Sequence, residues 1–269
     1  MLAKRTLSSV IIVLIATILI LFGGWIYAAG IAVILSIAVW EFVAMFKHGG
    51  FYTKPTLTAV IALVAIILRN LADQVFFSMG LVLAIFTICI SYIYTYKEHR
   101  ENTAVPLAVG LAAFAFILIP GAFLIDLRNM QYGIAWVIVS ILPASLGDVG
   151  AYLIGSLIGK HRLSPSLSPN KTLEGYFGGI CFAGIAGVIL GFTFSSLGID
   201  QSPVIITLIC VVIGIFAPLG DLAKSIIKRN FSLKDTGNLI PGHGGMLDRI
   251  DTILWAAPMT FFLVYFLVR

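Results

Sequence analysis

The stretch KDTGNLIPGHGGMLDRID, residues 234 to 251, concentrates polar residues in a chain that is 60% hydrophobic and 11% charged. It holds three aspartates, one lysine, one arginine, one histidine and four glycines. Aspartates can share a divalent cation, and lysine and arginine neutralise phosphate charge. Glycines allow a tight turn whose backbone N–H groups can approach phosphate oxygens. These residue types together are the components of phosphoryl or nucleotidyl transfer.

Individual residues of this stretch have separate predicted roles. Asp248 and Asp251 are three residues apart, so on a helix they project from one face and can share a cation. His243 has two interpretations, a hydrogen bond to a backbone group or phosphate and general base catalysis, and we expect the first. The turn residues are Gly242, Gly244 and Gly245, next to Pro241. The surrounding cations are Lys228, Arg229, Lys234 and Arg249.

The composition places this chemistry in a membrane protein. The mean hydropathy is +1.07, well above that of soluble domains, and the sequence contains apolar runs of the roughly 20 residues needed to cross a bilayer. The predicted spans are 7–22, 24–46, 55–72, 76–96, 104–125, 132–158, 176–197, 203–227 and 251–268. Gly23 and Gly24 are the predicted break between the first two spans, and we interpret Pro120 as a kink in the fifth. The predicted fold is therefore all-α and polytopic, with about nine transmembrane helices. Residues 1–125 would form a scaffold of about five helices, and 126–269 a catalytic region with two cytoplasmic loops.

The distribution of positive charge predicts the orientation. With the N-terminus inside, 14 of the 17 lysines and arginines fall on the cytoplasmic side, as the positive-inside rule requires. The three on the outside are Arg69, Arg128 and Arg269. We therefore predict a cytoplasmic N-terminus and an outside C-terminus. The net charge of +5 then favours anionic lipids and solutes, and nucleic acid is not implied.

Carboxylates inside apolar spans are costly and mark candidate sites. Asp148 and Asp221 each lie in an otherwise apolar span, where an aspartate costs about 2.5 to 3.5 kcal/mol at a helix centre. The alternative is a buried ion pair, for example between Asp221 and Lys224. Glu41 is the one carboxylate of the first five spans placed near membrane depth, at the cytoplasmic end of its span. It has two interpretations, a residue that snorkels to the interface and a site residue, and we expect the first.

The loop GKHRLSPSLSPNKTLEGYFGG, residues 159 to 179, is the second candidate phosphate-binding segment. Its prolines rigidify the chain, and Lys171 and Thr172 offer donors beside a predicted helix N-terminus, which favours anions. Lys160 and Arg162 add charge. Taken alone, these cations could equally reflect only the positive-inside rule.

Three segments of the chain resemble the phosphatidate cytidylyltransferase (CDP-diacylglycerol synthase) family. Two of them are GDVGAY and SPNKTLEGYFGG. The third resembles the signature S-x-x-K-R-x4-K-D-x-G-x2-[LIF]-P-x-H-G-G-x2-D-R-x-D. Its fixed elements are present as Ser225, Lys228, Arg229, Lys234, Asp235, Gly237, Ile240, Pro241, His243, Gly244, Gly245, Asp248, Arg249 and Asp251. The resemblance covers about residues 148 to 251.

The resemblance implies a Mg2+-dependent nucleotidyltransferase, with one or two cations, that joins CTP to phosphatidic acid and releases pyrophosphate and CDP-diacylglycerol. It implies a bacterial cytoplasmic (inner) membrane enzyme whose active site faces the cytoplasm. The partners are CTP, phosphatidic acid and membrane lipids, and both a monomer and a homodimer remain open. The implied catalytic residues are Asp221, Lys228, Arg229, Lys234, Asp248 and Arg249. The implied substrate-binding residues are Lys160, Arg162, Lys171, Thr172, Ser225, Gly242, His243, Gly244 and Gly245.

The chain departs from the family's pattern at three positions. The family's motif GDLxES has a glutamate where this chain has Lys224, and Val149 and Leu173 replace residues that are more common in the family. A metal scheme that uses a carboxylate at position 224 therefore does not apply. The role of metal ligand falls to Asp221, Asp248 and Asp251, with Asp148 as a further candidate.

Two other functional classes compete with this interpretation. A cation-coupled transporter would also use intramembrane aspartates, but it needs polar access on both membrane faces and commonly shows an inverted repeat, which the sequence does not show. A CDP-alcohol phosphotransferase would carry a DGxxAR motif, and the sequence has none.

The predicted orientation can be tested by cysteine labelling in a variant without the native cysteines. Ser164→Cys and Leu239→Cys should react with an impermeant thiol reagent only from the cytoplasmic side, and Gln201→Cys only from the outside, because lysine and arginine collect on the cytoplasmic face. Labelling of Leu239→Cys by the impermeant reagent in intact cells would show that the predicted orientation is wrong.

Overall fold

A computed structural model describes residues 2–71, 74–96, 103–165, 167–240, 242 and 244–268. The chain divides into two compact units. The first unit comprises Met1–Ile125 and Asn230–Arg249, and the second comprises Asp126–Arg229 and Ile250–Arg269. The segment 230–249 groups with the N-terminal helices, although the sequence analysis assigned it to the C-terminal region. The functional division at residue 125 stays a prediction.

The first unit is built from apolar helices joined by short connections. Its helices are α1 (Leu2–Phe22), α2 (Gly24–Met45), α3 (Pro55–Leu71), α4 (Gln74–Tyr96) and α5 (Ala104–Ala113), and α6 (Ile119–Asn129) continues beyond it. The predicted break at Gly23 and Gly24 is confirmed, since both have positive φ angles, 65° and 50°. Glycine adopts this conformation at little cost. Helix α2 packs on α3 and α5 and has a largely buried apolar surface.

A π-helical segment, Phe114–Leu118, joins α5 to α6 directly before Pro120. Proline has no backbone N–H and its ring clashes with the preceding turn, so the regular α-helical pattern cannot continue through it unchanged. A π-bulge absorbs this irregularity within one turn. The predicted interruption at Pro120 is thus a local change of helix type.

The second unit contains α7 (Gly133–Ile158), a short hairpin, and three further helices, with α11 entering from the first unit. The hairpin strands are β1 (Arg162–Ser164) and β2 (Ser168–Thr172), and the helices are α8 (Leu173–Ser196), α9 (Pro203–Phe216), α10 (Pro218–Asn230) and α11 (Leu247–Leu267). The strands pair antiparallel, with Arg162 opposite Thr172. The sequence pattern predicted only a loop here, so the short hairpin is an addition to the predicted all-α fold.

Small residues let α7 and α8 approach closely. Gly147, Ala151 and Gly155 follow each other at four-residue intervals on α7, as do Gly175, Gly179 and Ala183 on α8. A Cβ atom at Gly179 would lie 2.8 Å from the carbonyl oxygen of Gly147. Small residues at this spacing are typical of tightly packed membrane helices. This contact holds α7, which carries Asp148, against α8, which begins directly after strand β2 of the hairpin.

Seven helices in the described residues are long and apolar enough to cross a membrane. They are Gly24–Gly49, Phe77–Tyr96, Ala104–Asn129, Gly133–Ile158, Leu173–Ser196, Pro203–Asn230 and Leu247–Leu267. Two shorter apolar helices, Ser8–Phe22 and Pro55–Arg69, coincide with the remaining predicted spans. The polytopic helical fold is therefore confirmed, while the count of nine spans and the orientation stay predictions. Three of the cations counted for the orientation, Lys97, Arg100 and Arg269, lie outside the described residues.

The packing of α7 on α8 predicts the effect of Gly179→Ala. The added methyl group would meet backbone of α7, so the variant should lose about 1–3 kcal/mol of stability. Gly184→Ala on the same helix is the matched control, because its methyl group would meet only a side-chain methyl of Val211, at 3.3 Å. Thermal melting in detergent measures both. Equal melting temperatures for the two variants would contradict the proposed close contact.

Candidate functional site

A buried lysine organises the carboxylates of the second unit. Lys224 lies on α10 one turn after Asp221 and is 2% exposed. Its Nζ atom lies 3.2 Å from Asp221 Oδ1 and forms a shorter ion pair with Asp251 Oδ2, on α11. The buried ion pair that the sequence analysis considered as an alternative is thus present. We call Lys171, Asp221, Lys224 and Asp251 the Lys224 cluster.

The hairpin supplies the second cation of this cluster. Lys171 on β2 places its Nζ atom 2.6 Å from Asp221 Oδ2, and both side chains are partly exposed. Each Asp221 oxygen therefore contacts one ammonium group. Asp251 is similarly satisfied, since its Oδ1 atom accepts a hydrogen bond from the backbone N–H of Thr252 at 2.9 Å. The Thr252 hydroxyl lies 3.5 Å from Asp148 Oδ2, on α7.

Two contacts hold the hairpin and its charges. Glu174, in the first turn of α8, accepts hydrogen bonds from His161 Nδ1 at 2.6 Å and from the backbone N–H groups of Lys160 and His161. Arg229, at the end of α10, donates through Nε to the Leu167 carbonyl oxygen at 3.1 Å. Lys160 and Arg162 are exposed, so the hairpin presents positive charge at its surface.

Thr172 has a structural role that was not predicted. It is the N-cap of α8, and its hydroxyl oxygen accepts a hydrogen bond from the Gly175 N–H at 3.1 Å. This is the ordinary role of threonine at a helix start. The predicted helix N-terminus beside Lys171 and Thr172 is confirmed, but the Thr172 side chain is buried and one of the N–H groups expected to face an anion is already bonded.

In the first unit, Glu41 is the central buried charge. It lies on α2, is 1% exposed, and accepts hydrogen bonds from the backbone N–H groups of Met246 and Leu247, each at 2.9 Å. Its Oε2 atom also lies 3.1 Å from the Thr236 hydroxyl oxygen. The interpretation of Glu41 as a snorkelling residue was wrong: it binds the N-terminal N–H groups of α11, whose positive end favours a carboxylate.

Asp248 completes this arrangement from within α11. Its Oδ2 atom accepts hydrogen bonds from the N–H groups of Thr236 and Gly245, at 2.7 and 3.2 Å, and lies 3.0 Å from the Thr236 hydroxyl oxygen. The single hydroxyl proton of Thr236 is therefore shared between two carboxylates. We call Glu41, Thr236, Gly245 and Asp248 the Glu41 cluster.

The described residues of the glycine-rich segment form a turn, and two of its N–H groups, those of Ile240 and Gly245, have acceptors within the protein. A bridge between Ile240 and Gly244, with an N···O distance of 2.9 Å, closes the turn, and Gly242 and Gly244 have φ angles of 79° and 84°. Gly245 has no room for a side chain, since a Cβ atom would collide with Thr236 and Glu41. The Gly245 N–H group donates to Asp248 Oδ2 at 3.2 Å, and its role in phosphate binding stays a prediction. Pro241 and His243 lie outside the described residues.

The other predicted residues divide between buried and exposed positions. Ser225 is buried on α10. Lys234 and Arg249 are exposed, and Lys228 is partly exposed. These three cations and Ser225 stay predictions as site residues.

The carboxylates do not fit a metal ion that bridges Asp221 and Asp251. The Lys224 ammonium group contacts both of them, so it already provides the positive charge that such an ion would supply. Among the described residues, no group of three or more His, Cys, Asp or Glu side chains is arranged to hold a metal ion. The predicted ligand roles of Asp148, Asp221, Asp248 and Asp251 stay predictions.

Comparison with known proteins assigns the chain to a family. The cytidylyltransferase family matches residues 3–267. The chain belongs to the cytidylyltransferase family. The phosphatidate cytidylyltransferase of Staphylococcus epidermidis is 33% identical over 258 residues, which cover 95% of this chain and 96% of that protein. Those of Staphylococcus haemolyticus and Staphylococcus aureus are 32% and 31% identical, again over 95% and 96% of the two chains.

These similarities confirm the resemblance seen in the sequence and extend it. The resemblance covered about residues 148 to 251, whereas the family match covers residues 3–267 and so includes α1 to α5. Glu41 lies in this additional N-terminal region. A charge within an apolar span is itself a signal of a site or partner, so the sequence did contain the information needed to find it.

The Glu41 cluster predicts the effect of Glu41→Gln. The amide would replace one acceptor oxygen by a donor facing N–H groups, and should cost about 1–3 kcal/mol of unfolding free energy. Hydrogen exchange should accelerate in the peptide that contains Met246 and Leu247. Asp200→Asn removes the same charge at an exposed position and serves as the control. Unchanged melting and unchanged exchange in Glu41→Gln would show that the carboxylate does not hold α11.

Proposed function

We propose that this membrane cytidylyltransferase transfers CMP from CTP to phosphatidic acid and thereby forms CDP-diacylglycerol and pyrophosphate. The observation that carries this function is the match to phosphatidate cytidylyltransferases over 95% of the chain. The polar residues fit such a reaction, since cations and carboxylates gather on apolar helices. One substrate is soluble in water and the other keeps its acyl chains in lipid.

The chemistry needs neutralisation and positioning more than proton transfer. A phosphate oxygen of phosphatidic acid attacks the α-phosphorus of CTP, and the bond from that phosphorus to the bridging oxygen of the β-phosphate breaks. The electron pair leaves with pyrophosphate. The attacking phosphate is already an anion at neutral pH, so no side chain has to remove a proton. Binding groups that align the two phosphates and offset their charge can supply the catalysis.

In the second unit, we assign phosphate binding to the hairpin and the end of α10. Lys160 and Arg162 are exposed on the hairpin, and Glu174 holds the backbone beside them. Arg229 is anchored to the hairpin by one hydrogen bond, and an arginine has further N–H donors for phosphate oxygens. Lys171 is oriented by Asp221. A lysine whose ammonium group is held by one carboxylate can still donate to a phosphate through its other protons.

In the first unit, we assign phosphate binding to the exposed cations Lys234 and Arg249 and to the glycine turn at Gly242 and Gly244. The Glu41 cluster supports this segment by holding Thr236 and the start of α11. We assign Asp248 a positioning role, because its Oδ2 atom receives two backbone N–H groups. Its role as a metal ligand stays a prediction.

We also propose that the reaction depends on Mg2+ and that the ion enters with the nucleotide. Mg2+ in such proteins is commonly held by substrate phosphates, with few protein ligands. When bound to the triphosphate it neutralises charge on the leaving pyrophosphate. This assignment needs no metal ion between Asp221 and Asp251, where Lys224 lies.

We propose the bacterial cytoplasmic (inner) membrane as the location, with the N-terminus and the phosphate-binding segments facing the cytoplasm. The asymmetry of lysine and arginine along the sequence supports this orientation, and CTP is a cytoplasmic solute. The homodimer stays a prediction, which the mass of the protein in detergent would test.

Labelled CTP tests the transfer directly. Purified protein with phosphatidic acid and Mg2+ should carry label from [α-32P]CTP into lipid, whereas label from [γ-32P]CTP should appear in pyrophosphate. Label that stays out of the lipid in the first case would contradict the function, and γ-label in lipid would indicate a kinase.

Lys171→Met should lower the rate about 100-fold, as loss of a single charge-stabilising donor does elsewhere. Lys47→Met, at an exposed lysine of the first unit, should retain the normal rate.

A further inference from the structure

The Lys224 cluster is balanced in charge without any ion. Lys171 and Lys224 supply two positive charges, and Asp221 and Asp251 supply two negative charges. The Lys224 ammonium group contacts both carboxylates and is almost completely buried. A buried ammonium group is stable only when acceptors surround it. Two neighbouring carboxylates, of which Asp251 is buried and Asp221 is partly exposed, need a cation. Asp221 and Asp251 supply the acceptors that the ammonium group needs, and Lys224 supplies the cation that the two carboxylates need.

We propose that Lys224 is a built-in counter-cation that holds Asp221 and Asp251 together in the place of a bridging metal ion. Lysine suits this role because its ammonium group is a compact point charge with three donors. It is attached to α10 and therefore cannot dissociate or be chelated. The remaining oxygens of the two carboxylates already have partners in Lys171 and Thr252, so the arrangement is complete as folded.

The consequence is that this part of the second unit needs no divalent ion for its structure. Any divalent ion that the transfer requires would then lie elsewhere than between Asp221 and Asp251. The inference deepens the proposed function by separating the two sources of positive charge. The inference rests on the proposed function only in treating the Lys224 cluster as part of an active site. Its test is independent of that function, because it uses protein without nucleotide or lipid substrate.

The test compares thermal melting of purified protein in EDTA with melting in Mg2+ or Ca2+. The wild-type protein should melt at the same temperature in both. Lys224→Met should melt about 5 to 15 °C lower in EDTA, because the buried Asp251 and the partly exposed Asp221 lose the cation that they share. Divalent ions should recover much of this loss, since the vacated position lies between two carboxylates. Lys47→Met, the same change at an exposed lysine, should show neither effect.

A double variant keeps the proposal testable if Lys224→Met does not fold. Lys224→Met combined with Asp251→Asn leaves Asp221 paired with Lys171, so the charges balance again. This protein should fold, melt higher than Lys224→Met and ignore divalent ions. Stabilisation of the wild type by divalent ions, equal to that of Lys224→Met, would overturn the proposal. So would a folded Lys224→Met that does not respond to ions, or a double variant that melts no higher. Failure of the labelled-CTP assay would leave these outcomes unaffected.

Discussion

A charged side chain within an apolar helix has to be compensated by the protein, because lipid offers it no hydration. This constraint accounts for the polar architecture of both units. In the first, the Glu41 carboxylate is compensated by backbone N–H groups and a threonine hydroxyl. In the second, the Lys224 ammonium group is compensated by two carboxylates. The positions of the hairpin, the glycine turn and the start of α11 all follow from where these charges find partners.

The two solutions differ in what they leave for substrate. At Glu41 the partners are backbone N–H groups and a hydroxyl, so Thr236, Met246 and Leu247 are held in place. The nearby cations Lys234 and Arg249 remain exposed. At Lys224 the partners are charges, and the side chain is almost completely buried. Negative charge in the sequence is thus used largely to hold the protein together, and positive charge on the surface is available for phosphates. A cytidylyltransferase that binds two phosphate-bearing substrates requires this division.

Local pattern was sufficient to predict most of the fold. Apolar runs located the helices, Gly23 and Gly24 marked the first break, and Pro120 marked the irregular segment in the fifth predicted span. The hairpin at 162–172 was missed because its prolines and serines resemble an irregular loop, and its strands are too short to show alternation. Helices α8 and α11 begin at Leu173 and Leu247, before the predicted spans that start at 176 and 251, because their first turns contain the charged residues Glu174 and Asp248, which an apolar span excludes.

The candidate site was predictable in composition but not in pairing. The signature from Ser225 to Asp251 identified the residue types, and the family was confirmed. Which side chains meet depends on helices that are distant in sequence, and hydrophobic pattern carries no information about that. Asp248 and Asp251 were expected to share one ion because they are three residues apart, yet one binds the backbone of the glycine turn and the other binds Lys224.

The hydrogen bond between Glu41 and Thr236 also has a consequence for biosynthesis. The two residues are 195 positions apart in the chain, and a bacterial ribosome adds about 5–20 residues per second. Glu41 is therefore made roughly 10 to 40 s before its hydroxyl partner exists. During that interval the Glu41 carboxylate needs other partners, such as water. Its hydrogen bond with Thr236 can form only after most of the chain has been translated.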